Sequence, residues 1–127
     1  MKITFVYPRF RKFLDDVSRI GKIGDLFTVG KFTCPPALGI PILSALTPKE
    51  FDVAFVDDNA GEEINYNDDT DLFAVSCFTP QGTRALEIAR ECKSRGKKVV
   101  IGGMFPSFMP DDCLAVADSV CIGEGEY

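Results

Sequence analysis

The sequence predicts an α/β fold built on a five-stranded parallel sheet, and three observations carry that prediction. Five short runs rich in β-branched and aromatic residues recur along the 127 residues. Between them lie segments with helical apolar spacing and with helix start and stop residues. The run Val99-Val100-Ile101 is apolar on both sides of the pleat, the pattern of a strand covered on both faces. Strands that alternate with helices pair in parallel, with helices above and below, in three layers.

The elements follow in order. Lys2 to Tyr7 is the first strand. Residues 8–35 form a long loop segment with scattered Gly, Lys and Arg, and connections of this length usually carry function or mobility. Pro36 then opens a helix over Ala37 to Leu46, because proline suits a first turn. Pro41 falls in or near that turn. Phe51 to Val56 is the second strand, ending at Asp57-Asp58. The acidic stretch Glu62 to Asp71 reads as a surface loop. Leu72 to Cys77 is the third strand. Thr79 is the expected N-cap and Pro80 the first residue of the next helix. Ala85, Ile88, Ala89 and Cys92 share one face of it, and Gly96 stops it. Lys98 to Ile101 is the fourth strand. Pro110-Asp111-Asp112 starts a short helix with acids at its positive end. Ser119 to Ile122 is the fifth strand. The length fits one domain over residues 1–127 with its own core. No closing helix follows the fifth strand, so the domain is expected to be part of a longer protein.

Composition excludes several functions. A net charge of -5 argues against nucleic acid, which needs clustered Lys and Arg, and against an anionic membrane surface. No apolar stretch is long enough to span a bilayer. The N-terminus reads as a strand rather than a signal peptide, so a cytoplasmic protein is expected. Five cysteines are present, Cys34, Cys77, Cys92, Cys113 and Cys121. An odd count without Cys-x-x-Cys spacing argues against a disulfide framework or a local zinc site. Cys77, Cys92 and Cys121 lie in apolar patterns and are expected as small buried hydrophobes. Histidine is absent, which removes His-based acid–base catalysis and metal ligation.

Three strands end in small residues: Ser76-Cys77-Phe78-Thr79, Gly102-Gly103 and Gly123-Glu124-Gly125-Glu126. In open parallel sheets, ligands bind beyond the carboxyl ends of the strands. Small residues there leave room for a flat cofactor. The first turn, Tyr7-Pro8-Arg9-Phe10-Arg11-Lys12, lacks the glycines of a dinucleotide fold. No P-loop is present, and a phosphoacceptor Asp is missing where Ser76-Cys77 stand. Each motif also has a plainer reading. Gly102-Gly103 fits a tight turn, and Ser76 can satisfy a local backbone group. The glutamates fit a solvated linker. Asp57-Asp58 fits a metal pair or a solvated strand end. Arg9, Arg11 and Lys12, interleaved with Phe10 and Phe13, fit a phosphate contact or a solvated loop.

The segment Cys34-Pro35-Pro36-Ala37-Leu38-Gly39-Ile40-Pro41 resembles the Pro-Pro-x-Leu-Gly entry to the first helix of cobalamin-binding domains that precede radical SAM domains. Asp57, Ser76 to Thr79, Gly102-Gly103 and Gly123-Glu124-Gly125-Glu126 match the same family in the same order. The resemblance implies a flavodoxin/Rossmann-like sheet of order 2-1-3-4-5 that holds cobalamin at its carboxyl edge. It puts Ser76-Cys77-Phe78 in the place of a Ser-x-Leu element, and Gly102-Gly103 in that of a Gly-Gly element, both lining the channel for the nucleotide tail. Thr79, Gly123 and Glu124 complete the implied cofactor-binding set. A Ser hydroxyl can bond a ring nitrogen or a phosphate, and glycine lets an aromatic base approach bare backbone. The resemblance further implies a C-terminal radical SAM domain in the same parent chain, with a [4Fe-4S] cluster and S-adenosylmethionine. The domain described here would catalyse nothing alone and would position the corrinoid, as a methyl carrier, for that enzyme. The sequence departs from cobalamin mutases and methyltransferases in having Tyr7-Pro8-Arg9 where they carry Asp-x-His-x-x-Gly. It also has Met104-Phe105-Pro106 where many relatives have a His after Gly-Gly. The alternative is a flavodoxin-like module that has lost the cofactor and recognises a substrate or partner. A bulky residue at Gly103 is expected to block the tail and spare the fold, if the backbone angles there admit a side chain.

Overall fold

The computed structural model describes residues 1–10 and 38–125. The expected loop segment beyond Phe10, the Pro36 helix start, Cys34 and Glu126 lie outside them. The strands are β1 (Lys2–Tyr7), β2 (Asp52–Asp57), β3 (Leu72–Ser76), β4 (Lys98–Gly102) and β5 (Ser119–Val120). All pair in parallel in the order β2-β1-β3-β4-β5. The helices are α1 (Gly39–Leu46), α2 (Gly82–Ser94), α3 (Met104–Phe108) and α4 (Pro110–Leu114). The architecture is a flavodoxin-like three-layer α/β sandwich.

Strand alternation sorts the core into two unequal halves. Val6, Phe73, Val75, Val99 and Ile101 point to one face and meet Ala85, Ile88, Ala89 and Cys92 of α2, with Phe105 and Cys113 beside them. Ile3, Phe5 and Tyr7 point to the other face and meet Ile40 of α1. Each fully buried aliphatic side chain stabilises the fold by about 1.5–3 kcal/mol. The α2 face holds most of these side chains, so it carries most of the burial. Ile40 is the one residue that α1 buries fully.

Local chemistry sets the ends. Pro41 is the third residue of α1, where its missing N–H costs no helical bond. Helix α2 stops as expected at Gly96, with φ +71°. The Lys97 N–H donates to the Cys92 carbonyl at 2.9 Å, and the Gly96 N–H to the Lys93 carbonyl at 3.0 Å, the two bonds of a Schellman motif. Asp118, just before β5, accepts from the Val99 N–H at 2.9 Å and from Lys93 Nζ at 2.8 Å. Lys93 and that amide hold its carboxyl well below the usual carboxylate range.

Three features differ from the sequence reading. Thr79 is not the N-cap of α2. Thr79–Gln81 forms a 3-10 turn, and α2 begins at Gly82. The Gln81 side chain closes that 3-10 turn instead, its Oε1 accepting the Phe78 N–H at 2.8 Å, and no side chain caps α2. Helix α3 arises in a stretch with no start signal. Strand β5 covers two residues rather than four, because the chain leaves the sheet toward Gly123, with φ +87°. Cys121 is accordingly half-buried rather than buried, whereas Cys77, Cys92 and Cys113 are buried free thiols.

Candidate functional site

A cavity of about 280 Å³ opens at the carboxyl ends of β3, β4 and β5, on the α1 face of the sheet. Its origin is legible in side-chain size. On the α2 face, β3 and β4 place Phe73, Val75, Val99 and Ile101. On the α1 face, the same strands place Ala74, Ser76, Val100 and Gly102, and Ser76 pairs with Gly102 in register. Small residues cannot fill the gap beneath α1, whose Gly39 and Leu43 form the opposite wall. Gly123, Glu124 and Gly125 complete the lining beside Cys121.

Of the eight residues singled out in the sequence, five meet in this cavity: Ser76, Gly102, Gly103, Gly123 and Glu124. The other three do not. Cys77 is buried on the α2 side of the sheet, where burial pushes its thiol up to about 12. Phe78 packs against the β1–α1 cluster, and Thr79 is exposed on the turn before α2. Alternation across the pleat explains Cys77, since one step past Ser76 reverses the face; Phe78 and Thr79 lie beyond the end of β3, where the chain turns away from the cavity.

The two glycines of the pair play different parts. Gly103 has φ +94°, and a Cβ there would stand 2.6 Å from the Cys77 carbonyl oxygen. The condition on which a bulky residue at Gly103 would spare the fold is therefore not met. Both the backbone angle and the neighbouring peptide exclude a side chain. A Cβ on Gly102 would meet only Cys121 Cβ, at 3.4 Å, and would project toward the cavity. Leu43 and Ala74 were missed in the sequence, whereas Gly39 and Gly125 lay in quoted motifs but outside the implied cofactor-binding set. Gly125 lies so close to Leu43 that a Cβ would be 3.2 Å from Leu43 Cδ2. Strict alternation within β3 was the signal that could have found Ala74.

The acidic pair at the end of β2 divides between a half-exposed Asp57 and a buried Asp58. Asp57 accepts the Ala60 N–H at 2.9 Å. Asp58 is buried and takes Arg84 on both oxygens, at 2.9 and 3.0 Å, with the Arg9 N–H at 3.0 Å. Burial pushes the Asp58 carboxyl up, but the Arg84 guanidinium and the Arg9 amide outweigh it and hold the group below its ordinary value. Gln81 was also missed. Fully buried, it donates from Nε2 to the Pro8 carbonyl while capping Phe78, and so ties the β1 exit to the β3 exit. Among the described residues, no group of three or more Cys, Asp or Glu could hold a metal ion. No helix among them is long and apolar enough to cross a membrane.

Comparison with known proteins agrees with this geometry. Residues 28–127 match the B12 binding domain family. A bacteriochlorophyllide d C-8(2)-methyltransferase of Chlorobaculum tepidum is 38% identical over 89 residues, 70% of this chain and 20% of the relative. A bacteriochlorophyllide d C-12(1)-methyltransferase of the same organism is 32% identical over 90 residues, with the same coverage of 70% and 20%. An uncharacterized methyltransferase of Synechocystis sp. is 28% identical over 128 residues, 99% of this chain and 23% of the relative. The chain thus spans about a fifth of the length of the curated relatives it matches. No solved structure matches it. With the matched segment covering every strand after β1 and all of the cavity lining except Phe5, the chain belongs to the B12-binding domain family.

Proposed function

We propose that the domain binds a cobalamin at the carboxyl edge of its sheet, with the nucleotide tail in the cavity between α1 and the strand ends. The observation that carries this reading is the file of small residues, Ala74, Ser76 and Gly102, on one face of an otherwise bulky sheet. A side chain on Gly102 would occupy that space, so the glycine fits a cofactor lying against backbone. Phe5, Leu43 and Val100 offer apolar walls to a flat aromatic base, at about 25 cal/mol for each Å² removed from water. The Ser76 hydroxyl can donate to or accept from a ring nitrogen. Gly123 and Glu124 form the outer rim, and Gly103 shapes the loop behind it. When bound, the corrinoid supplies a cobalt centre able to carry a methyl group. This chain's residues bind and orient it, and they contribute no imidazole to the cobalt because the chain has no histidine.

The relatives named as methyltransferases support a role in methyl transfer by a longer protein. In our reading that protein is cytoplasmic and continues into a radical SAM domain holding a [4Fe-4S] cluster and S-adenosylmethionine. Two observations test this. Hydroxocobalamin mixed with the protein is expected to co-elute in gel filtration with an altered visible spectrum. If no corrinoid travels with the protein, the module is one that has lost its cofactor and serves recognition instead. The coding sequence beyond Tyr127 is expected to contain Cys-x-x-x-Cys-x-x-Cys. Its absence there would remove the radical SAM half of the proposal.

A further inference from the structure

The loop that carries Gly102 and Gly103 is held from behind the sheet. Gly103 approaches Cys77 so closely that no Cβ fits between them. The Cys77 N–H donates to the Gly102 carbonyl at 3.0 Å, and the Phe105 N–H donates back to the Cys77 carbonyl at 3.2 Å. These contacts clamp the exit of β4 to the exit of β3, one residue past Ser76. The Phe105 side chain extends the clamp into the α2 layer. Its ring sits on Gly82, the first residue of α2, and a Cβ on Gly82 would lie 2.5 Å from Phe105 Cε2. Gly82 has φ -54° and ψ -47°, ordinary helical angles that any residue adopts. Its backbone does not require glycine; the ring does. Phe105 is 9% exposed within the core cluster of α2, so its ring cannot swing aside without disturbing neighbours.

We propose that Gly82 and Phe105 are positioning residues for the cofactor site, the ring seated on the glycine fixing where Gly102-Gly103 stands relative to Ser76. The inference rests on the corrinoid reading above. Neither residue lines the cavity. They act through the peptide of Cys77 and the tight turn at Gly103. A methyl group on Gly82 pushes the ring, the ring carries the Phe105 amide, and the glycine pair moves with it.

The test compares Gly82→Ala with Ile88→Val, a packing change in the same core cluster but away from the clamp. Both variants are titrated with hydroxocobalamin, and their thermal midpoints are recorded alongside. Gly82→Ala is expected to weaken binding by about ten-fold, the scale of an overpacked contact, whereas Ile88→Val leaves affinity within about two-fold. Adding Phe105→Leu to Gly82→Ala is expected to restore most of the affinity, because the smaller side chain makes room. Unchanged affinity in Gly82→Ala, an equal loss in Ile88→Val, or no rescue in the double variant would each overturn the proposal. If Gly82→Ala does not fold, Phe105→Leu alone is measured, with weaker binding expected and wild-type binding contradicting the clamp. If the wild type itself binds no corrinoid, the cofactor reading fails separately. Hydrogen exchange at the Phe105 amide then decides: faster exchange in Gly82→Ala than in Ile88→Val supports the clamp, and equal rates overturn it.

Discussion

Two adjacent glycines show how much a single residue's geometry decides. Gly102 faces the cavity and has ordinary backbone angles. Gly103 has φ +94° and abuts the Cys77 carbonyl. Gly103→Ala is expected to destabilise the fold by about 2 kcal/mol or more, from strain at a left-handed position and collision with a peptide. Gly102→Ala is expected to stay within about 0.5 kcal/mol of wild type, since a strand residue gains from a side chain what it loses in tightness. Chemical denaturation of the two variants side by side checks both values. The pair was legible in the sequence as one motif. Its division of labour was not, because neither φ nor the nearness of another strand's carbonyl is written in a residue's identity. Ser76 was legible for the opposite reason: it ends a strand whose alternation fixes its face. Cys77 lies outside the cavity by the same alternation, which turns the residue after Ser76 to the α2 face, whereas Phe78 returns to the α1 face but packs on the β1–α1 cluster beyond the strand end.

At the scale of elements, α2 is fastened by packing and by charge, whereas α1 rests on little more than Ile40. The fastening by charge is the Asp58–Arg84 pair, which joins the end of β2 to α2. Arg84 keeps partial access to water, and the pair sits between the surface and buried cases. Asp58→Asn is therefore expected to cost about 2 kcal/mol at neutral pH. The pH dependence has a definite sign. The carboxyl is held below its ordinary value in the folded state, so its contribution is present above the unfolded value of about 3.9. That contribution is lost as pH falls through the lower folded value. Unfolding curves of wild type and Asp58→Asn should thus differ by a constant amount from pH 5 to 7 and converge below about pH 4. A gap that stays constant into acid would show that the pair does not hold α2. This pairing was invisible in the sequence. Twenty-six residues separate its members, and two adjacent aspartates at a strand end point first to solvent and then to metal, not to a distant arginine. The strands and α2, by contrast, were legible from period and end signals. Helix α3 was not, because Met104-Phe105-Pro106-Ser107-Phe108 carries neither.

For the molecule as a whole, sheet order and layer assignment place the cavity. The order β2-β1-β3-β4-β5 leaves the α1 face of β4 and β5 without a helix of its own among the described residues. On the opposite face, α2 packs over β3 and β4. An asymmetric sandwich of this kind has its gap on the thinly covered face, at the carboxyl edge where parallel sheets take their ligands. The sequence signalled that edge through three strand ends in small residues, and each of the three contributes to the lining, through Ser76, through Gly102 and Gly103, and through Gly123, Glu124 and Gly125. What it could not signal was depth, which depends on Ala74 and Gly39 lying opposite each other from distant parts of the chain. The central claim is that this gap receives the tail of a cobalamin, and filling it tests that claim most directly. Equilibrium titration with hydroxocobalamin, followed by visible absorption, should give saturable binding to the wild type. Binding to Gly102→Val should be weaker by about ten-fold or more, at an unchanged thermal midpoint. Equal affinity in the two proteins would place the cofactor elsewhere and contradict the account.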